Sequence, residues 1–258
     1  MAKIFAITNQ KGGVGKTTTA VNLAASLAAR QQRVLLVDLD PQGNATMGSG
    51  IEKRSLPASV YQVLLNLREV EEVIQHSVSG GYDVLPSNRD LAGAEIELVD
   101  QEARDTRLKT ALSRVSGRYD YVLIDCPPAL NLLAINALAA ANGVMIPMQC
   151  EYYALEGVSD LVNTIRRIRT HINPTLEIEG LLRTMYHGGS SLSQQVSDQL
   201  KNHFGDKVYD TIIPRNVRLA EAPSYGQPAR VYDPASKGAQ AYQALAEEIF
   251  SRAAQLEK

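Results

Sequence analysis

The chain reads as a single α/β domain over residues 1–258, built on a mostly parallel twisted sheet with helices on both faces. Two observations predict this fold. Strand-like apolar runs alternate with helix-like segments along the whole chain, the pattern of parallel strands joined by crossover helices. No internal repeat or low-complexity linker divides them, and 45% hydrophobic with 21% charged residues suits one sizeable core. Residues 3–8 form the first apolar strand. Residues 18–29 then carry Val21, Leu23, Ala24, Ala25, Leu27 and Ala28 at helical spacing. Further strands are expected at 33–38, 82–86, 119–125, 143–148, 178–185 and 208–214, and further helices at 60–67, 103–115, 132–141, 155–171, 192–204 and 239–254. Residues 49–59 and 187–191 read as surface loops.

Between the first strand and the first helix lies Gln10-Lys11-Gly12-Gly13-Val14-Gly15-Lys16-Thr17-Thr18. Glycines there let backbone N–H groups turn toward an anion at the positive end of the following helix. Lys16 is placed to reach the β- and γ-phosphates of a nucleotide, and the Thr17 hydroxyl to ligate Mg²⁺. The P-loop pattern would put its first glycine at position 10, where this chain has Gln10. Lys11 is a second lysine in the loop, and holding one's own nucleotide needs only one. It is either a solvated charge or a group that acts on the nucleotide of a second subunit, in the manner of an arginine finger.

Residues 121–125 form an apolar strand ending in Asp125, the form of a Walker B element, which places a carboxylate by the metal site at the sheet's carboxyl edge. Another strand ends in Asp38-Leu39-Asp40-Pro41-Gln42-Gly43. A carboxylate here can orient the water that attacks the γ-phosphate, and Asp40, at the loop's start, is the better placed. Asp38 suits support of the loop or metal; turn capping by both acids is the alternative.

Five strings, KGGVGKTT, VDLDPQGN, IDCPP, QCEYYALEG and IPRNVRLAEAPSYGQP, resemble the ParA/Soj family of chromosome- and plasmid-partitioning ATPases, over nearly the whole chain. The resemblance implies a weak ATPase using ATP and Mg²⁺, and an ATP-sandwich homodimer in which Lys11 crosses the interface. By motif position it assigns Gly12, Gly13, Val14, Gly15, Lys16, Thr17 and Thr18 to the phosphates, Asp40 to the hydrolytic water and Asp125 to metal support. Pro214 and Asn216 fall at the adenine end. Dimers of this family bind DNA without sequence preference, with Arg218 at a matching position, and a ParB-like centromere-binding protein stimulates hydrolysis. Relatives commonly carry an arginine in the loop where this chain has Gly188 and Gly189.

The chain starts directly on a strand without a signal-peptide pattern, and no run reaches membrane-spanning length, so cytoplasmic, nucleoid-associated residence and no membrane partner are expected. Net charge is −2, so DNA contact requires a local basic patch, and residues 166–237 supply candidates including Arg183, Lys201, Arg215 and Arg218. Cys126 and Cys150 read as small buried hydrophobes, and the four His lack ligand spacing. The final helix sets Tyr242, Leu245, Ala246, Ile249, Phe250, Ala253 and Leu256 on one stripe as a docking face, with Glu247 and Glu248 on its polar side. That acidic side disfavours a MinD-like membrane helix. An iron–sulfur ATPase of the nitrogenase iron-protein type shares the lysine-bearing loop and would need cluster cysteines at a dimer interface. A small-molecule ligase of the dethiobiotin-synthetase type shares the loop and differs in its substrate-driven turnover.

Overall fold

The structure, a computed structural model, describes residues 2–256, with side chains through 254. Its strands are β1 (Lys3–Ile7), β2 (Val34–Asp38), β3 (Gln75–Ser77), β4 (Tyr82–Leu85), β5 (Tyr121–Asp125), β6 (Gly143–Gln149), β7 (Glu177–Tyr186) and β8 (Val208–Pro214). The helices are α1 (Lys16–Ala28), α2 (Asn44–Gly48), α3 (Val60–Leu64), α4 (Val70–Val73), α5 (Leu91–Glu97), α6 (Arg107–Val115), α7 (Leu132–Ala140), α8 (Ala154–His171), α9 (Ser191–Phe204), α10 (Val217–Glu221), α11 (Ala229–Tyr232) and α12 (Lys237–Leu256). One eight-stranded sheet runs in the order β3-β4-β2-β5-β1-β6-β7-β8, parallel except where β3 meets β4.

Successive side chains on a strand face opposite sides, and the sequence exploits this twice over. Leu35 and Val37 of β2 and Val122 and Ile124 of β5 enter one core with α6, α7, α8 and α9. Val34 and Leu36, with Tyr121 and Leu123, enter the other, against α1 and α12. Burial on both faces explains why the central strands read as continuous apolar runs. The expected stripe of α12 lies on this second core: Tyr242, Leu245, Ala246 and Ile249 are buried and Phe250 packs beside them, while the Leu256 side chain lies outside the described set.

The structure departs from the sequence reading in places that have physical causes. The helix expected from residue 103 begins at Arg107, because Ala103 sits at φ 52°, a left-handed conformation that no helix interior accepts. The helix after the glycine run starts at Lys16, two residues early. Residues 49–59 are not wholly a surface loop: Ser49, Ile51 and Ser59 are buried, and Ser49 Oγ lies 2.8 Å from Tyr82 Oη. Strand β3 and helix α5 carry no clear apolar period and escape the sequence reading.

Strand β8 is the sheet's edge, and side chains satisfy its backbone. Glu248 of α12 accepts the N–H groups of Asp210 and Thr211, each at 2.8 Å, while Arg252 donates to the Val208 carbonyl at 2.9 Å and to Glu248 at 2.7 Å. Burial pushes the Glu248 carboxyl up, but these hydrogen bonds prevail and hold it below the usual glutamate value. Their stabilisation is complete above the unfolded-state value and is lost as pH falls through the lower folded one. Glu248→Ala strands two edge N–H groups and should cost roughly 1–3 kcal/mol, a fall in Tm of roughly 3–8 °C at pH 7 by differential scanning fluorimetry. The deficit should shrink at pH 4; an unchanged Tm at pH 7 would remove the carboxylate from the account of this edge.

Candidate active site

The loop between β1 and α1 sits at the sheet's carboxyl edge, where open parallel sheets bind ligands. Gly13 (φ 74°) and Gly15 (φ 89°) take left-handed backbone, which accounts for two of the glycines. Neighbouring elements hold the loop by its carbonyls: Gln149 Nε2 donates to Gly13 O at 3.1 Å, and Thr184 Oγ1 lies 2.7 Å from Val14 O and 3.1 Å from Met148 O. Asn9 ties the loop's entry to Pro147 O at 2.9 Å and accepts the Lys11 N–H at 3.0 Å. With its carbonyls occupied, the loop leaves its N–H groups for an anion at the start of α1.

The two lysines differ sharply. Lys16 is buried, and its Nζ donates to Lys11 O across the loop at 3.1 Å. Burial lowers its pKa, opposed by the charges of Asp125 and Asp40. Lys11 instead extends outward, with its side chain 55% exposed and its Nζ 2.5 Å from the equally exposed Glu151.

Strands β2 and β5 are adjacent and in register, which sets Asp38 directly beside Asp125 at the sheet edge. Both are fully buried. Asp38 is well satisfied: its Oδ2 accepts the Thr46 N–H at 2.8 Å and the Thr46 hydroxyl at 2.7 Å, and its Oδ1 the Asp40 N–H at 3.2 Å. Burial nevertheless pushes its carboxyl up to about 6. Among the described residues, neither oxygen of Asp125 has a hydrogen-bond partner. Burial and then the Asp38 charge raise its carboxyl well above the ordinary range, against the opposing pull of the nearby Thr17 hydroxyl and Lys16 ammonium. A buried carboxylate without a donor, beside a threonine hydroxyl, fits a hard divalent cation, because such ions take oxygen ligands. Asp40 lies just past β2, its Oδ1 accepting the Gln42 N–H at 2.9 Å, as the turn-capping alternative required. Asp40 as a whole is partly exposed.

Beside the loop opens a cavity of about 400 Å³, lined by Gly15, Thr18, Thr184, Met185, Pro214 and Asn216 among others. The structure thus brings Pro214 and Asn216 to the same cavity as the glycine loop. Asn216 also caps α10, its Oδ1 accepting the Arg218 N–H at 3.1 Å. Gln149, Thr184 and Met185 escaped the sequence reading. Nothing periodic marks them, although Met185, at φ 48°, is a non-glycine residue in left-handed backbone beside the cavity.

The basic candidates fare unevenly. Arg218 is half exposed and bound in ion pairs to Glu221 at 2.7 Å and Asp233 at 3.2 Å. Arg183 does not belong to a surface patch: it is buried, and its guanidinium donates to Ser197 Oγ, Tyr209 O and Asp210 O. Lys201 faces Asp210 at 3.4 Å. Cys126 and Cys150 are buried, with burial raising both thiols, Cys150 to about 11.

A family model described as an AAA domain matches residues 2–178. The sporulation initiation inhibitor protein Soj of Bacillus subtilis is 56% identical over 96% of this chain and 98% of its own length. The chromosome partitioning protein ParA of Caulobacter vibrioides is 51% identical over 97% of this chain and 94% of its own. The chain belongs to the ParA/Soj family of chromosome-partitioning ATPases. Among solved structures, cobyrinic acid a,c-diamide synthase from Mycobacterium smegmatis, with bound ATP analogue and magnesium, is 38% identical, covers 96% of this chain and 93% of its own, and gives a TM-score of 0.84. The cell division ATPase MinD from Pyrococcus furiosus is 27% identical over 97% of this chain and 99% of its own, at a TM-score of 0.80. This ParA/Soj chain therefore has the P-loop NTPase fold of these structures. No helix among its described residues is long and apolar enough to cross a membrane.

Charge compression at Asp38 and Asp125 has a measurable sign. A carboxyl raised on folding binds its proton more tightly in the folded state, so folding stability falls as pH rises from the unfolded value near 4 to about 6. In the nucleotide-free protein, Asp125→Asn should raise Tm relative to wild type at pH 8, and the gain should fade toward pH 4.5. A Tm difference that does not vary between pH 4.5 and 8 would contradict a carboxyl raised on folding.

Proposed function

We propose that residues 1–258 act as one ATP-switched partitioning domain, a weak ATPase that closes into a homodimer on ATP, binds DNA without sequence preference and is released by hydrolysis. The contrast between the two loop lysines carries this reading. Lys16 is committed to its own cradle, whereas Lys11 is held clear of it at the surface. A cation placed outside its own phosphate site suits the nucleotide of a second copy, where it would stabilise charge as an arginine finger does.

In this reading the N–H groups of residues 12–18 and the Lys16 ammonium hold the phosphates of ATP. The Thr17 hydroxyl ligates Mg²⁺, with Asp125 supporting the ion from beneath. The cavity at Pro214 and Asn216 takes the adenine, and Asp40 orients the attacking water. The Soj and ParA relatives support the partitioning role, and the magnesium and ATP analogue named with the Mycobacterium smegmatis structure support the ligand pair. DNA contact would fall partly to Arg218, which must then exchange Glu221 and Asp233 for phosphate. A ParB-like protein is the proposed stimulating partner, and the nucleoid the proposed site of residence.

A ligase reading has one observation in its favour, the 38% identity to a structure named as a synthase. The partitioning relatives, at 51–56% identity over nearly the whole chain, outweigh it. Dimerisation separates the two. Lys11→Ala should bind ATP as the wild type does, by isothermal titration, and remain a monomer with ATP in size-exclusion chromatography with light scattering. A Lys11→Ala protein that dimerises with ATP and hydrolyses it at the wild-type rate would overturn the sandwich reading.

A further inference from the structure

Asp40 can orient water only if its loop is held still, and the chain after β2 has little to hold it. The segment from Asp40 to Gly43 is a turn, with Gly43 N–H donating to Asp40 O at 2.9 Å and Gly43 in left-handed backbone at φ 61°. From outside, the turn is held by Lys53, whose ammonium donates to the Gln42 carbonyl, and at Asp40 itself by a residue that follows a neighbouring strand. Ser87 follows β4, which pairs in parallel with β2 so that Leu85 faces Val37; two residues further, Ser87 comes level with the start of the turn.

Ser87 is fully buried, bonds the turn directly once, and braces it through Thr46 and by close approach to Gly43. Its Oγ donates to the carbonyl of Asp40 at 2.9 Å. Its N–H donates at 2.9 Å to the hydroxyl of Thr46, which in turn donates to Asp38. Its carbonyl lies so close to Gly43 that a methyl group added there would stand 2.7 Å away. The same Asp38 accepts the Asp40 N–H, so the peptide units on both sides of Asp40 are tied to buried groups. The side chain is held less firmly, by the Gln42 N–H at 2.9 Å.

We infer that Ser87 is a positioning residue for Asp40: it holds the peptide from which the carboxylate projects, touches neither nucleotide nor water, and sets the rate of hydrolysis through Asp40 alone. The inference rests on the assignment of Asp40 to the attacking water. It also explains why Gly43 is glycine on two independent counts, its positive φ and the absence of room for a Cβ. A loop that strays by an ångström loses alignment with the attack line while leaving the phosphate cradle untouched.

The test is a double-mutant cycle on ATP turnover with wild type, Ser87→Ala, Asp40→Ala and the double variant, each with KM and Tm recorded. Ser87→Ala keeps the N–H contact and loses the hydroxyl, one hydrogen bond, so kcat should fall roughly three- to tenfold with KM within about twofold of wild type. In the Asp40→Ala background the same change should lower kcat no further, because residues that act through one group are not additive. A Ser87→Ala protein with unchanged kcat, or one whose loss is as large without Asp40, overturns the inference. Full turnover by Asp40→Ala overturns instead the assignment of Asp40 itself, a distinguishable result. Gly43→Ala, which pushes the turn off Ser87 from the opposite side, should give the same fall in kcat with KM preserved, and it keeps the question open to refutation if Ser87→Ala fails to fold.

Discussion

Everything at this site depends on a buried electrostatic imbalance: two carboxylates on adjacent strands, in register, with one buried ammonium opposite. Asp38 and Asp125 come together because β2 and β5 pair residue for residue, and both are out of water because helices cover the two faces of the sheet. Asp38 has its donors in Thr46 and the Asp40 N–H; Asp125 has none among the described residues. Burial then pushes both acids up and Lys16 down, toward their neutral forms. A divalent cation beside Asp125 and a polyanion against Lys16 would each restore the charged form, so the fold favours binding the two together. Buried charges left partly uncompensated are a hallmark of sites that await a ligand.

The same constraint separates the two lysines. Lys16 can be buried because acids lie beneath it. Lys11 lies at the surface, where the exposed carboxylate of Glu151 meets it. An exposed pair of this kind contributes little, about 1 kcal/mol or less, and is readily exchanged for a phosphate. Tyr152 and Tyr153 stand beside it, both largely exposed, at the same carboxyl edge. The proposed sandwich therefore needs no refolding of the loop, only the transfer of one weakly held cation.

What could be read in the chain beforehand divides along physical lines. Strands β1, β2, β5 and β6 were legible because burial on both faces makes them unbroken apolar runs, and the loop was legible because left-handed backbone at Gly13 and Gly15 demands glycine. Asp38 and Asp125 were legible as acids closing such strands, and Asp40 as the acid just past one. Gln149, Thr184 and Ser87 were not, since their roles lie in single hydrogen bonds to carbonyls far away in sequence, which leave no periodic trace. Composition misled at Arg183, whose charge lies buried against carbonyls of β8, and at Ala103, whose backbone no residue preference foretold. Pro214 and Asn216 came from resemblance alone, and the structure sets them on the cavity beside Thr18.

The central claim is that nucleotide turnover here serves as a timer for a DNA-bound dimer. The most direct measurement is ATP turnover by the unmodified protein alone, with non-specific duplex DNA, and with DNA together with a ParB-like centromere-binding protein. The account expects slow hydrolysis alone, little change with DNA, and marked stimulation only when both are present. Rapid turnover that ignores DNA and protein and responds instead to a small-molecule co-substrate would contradict it.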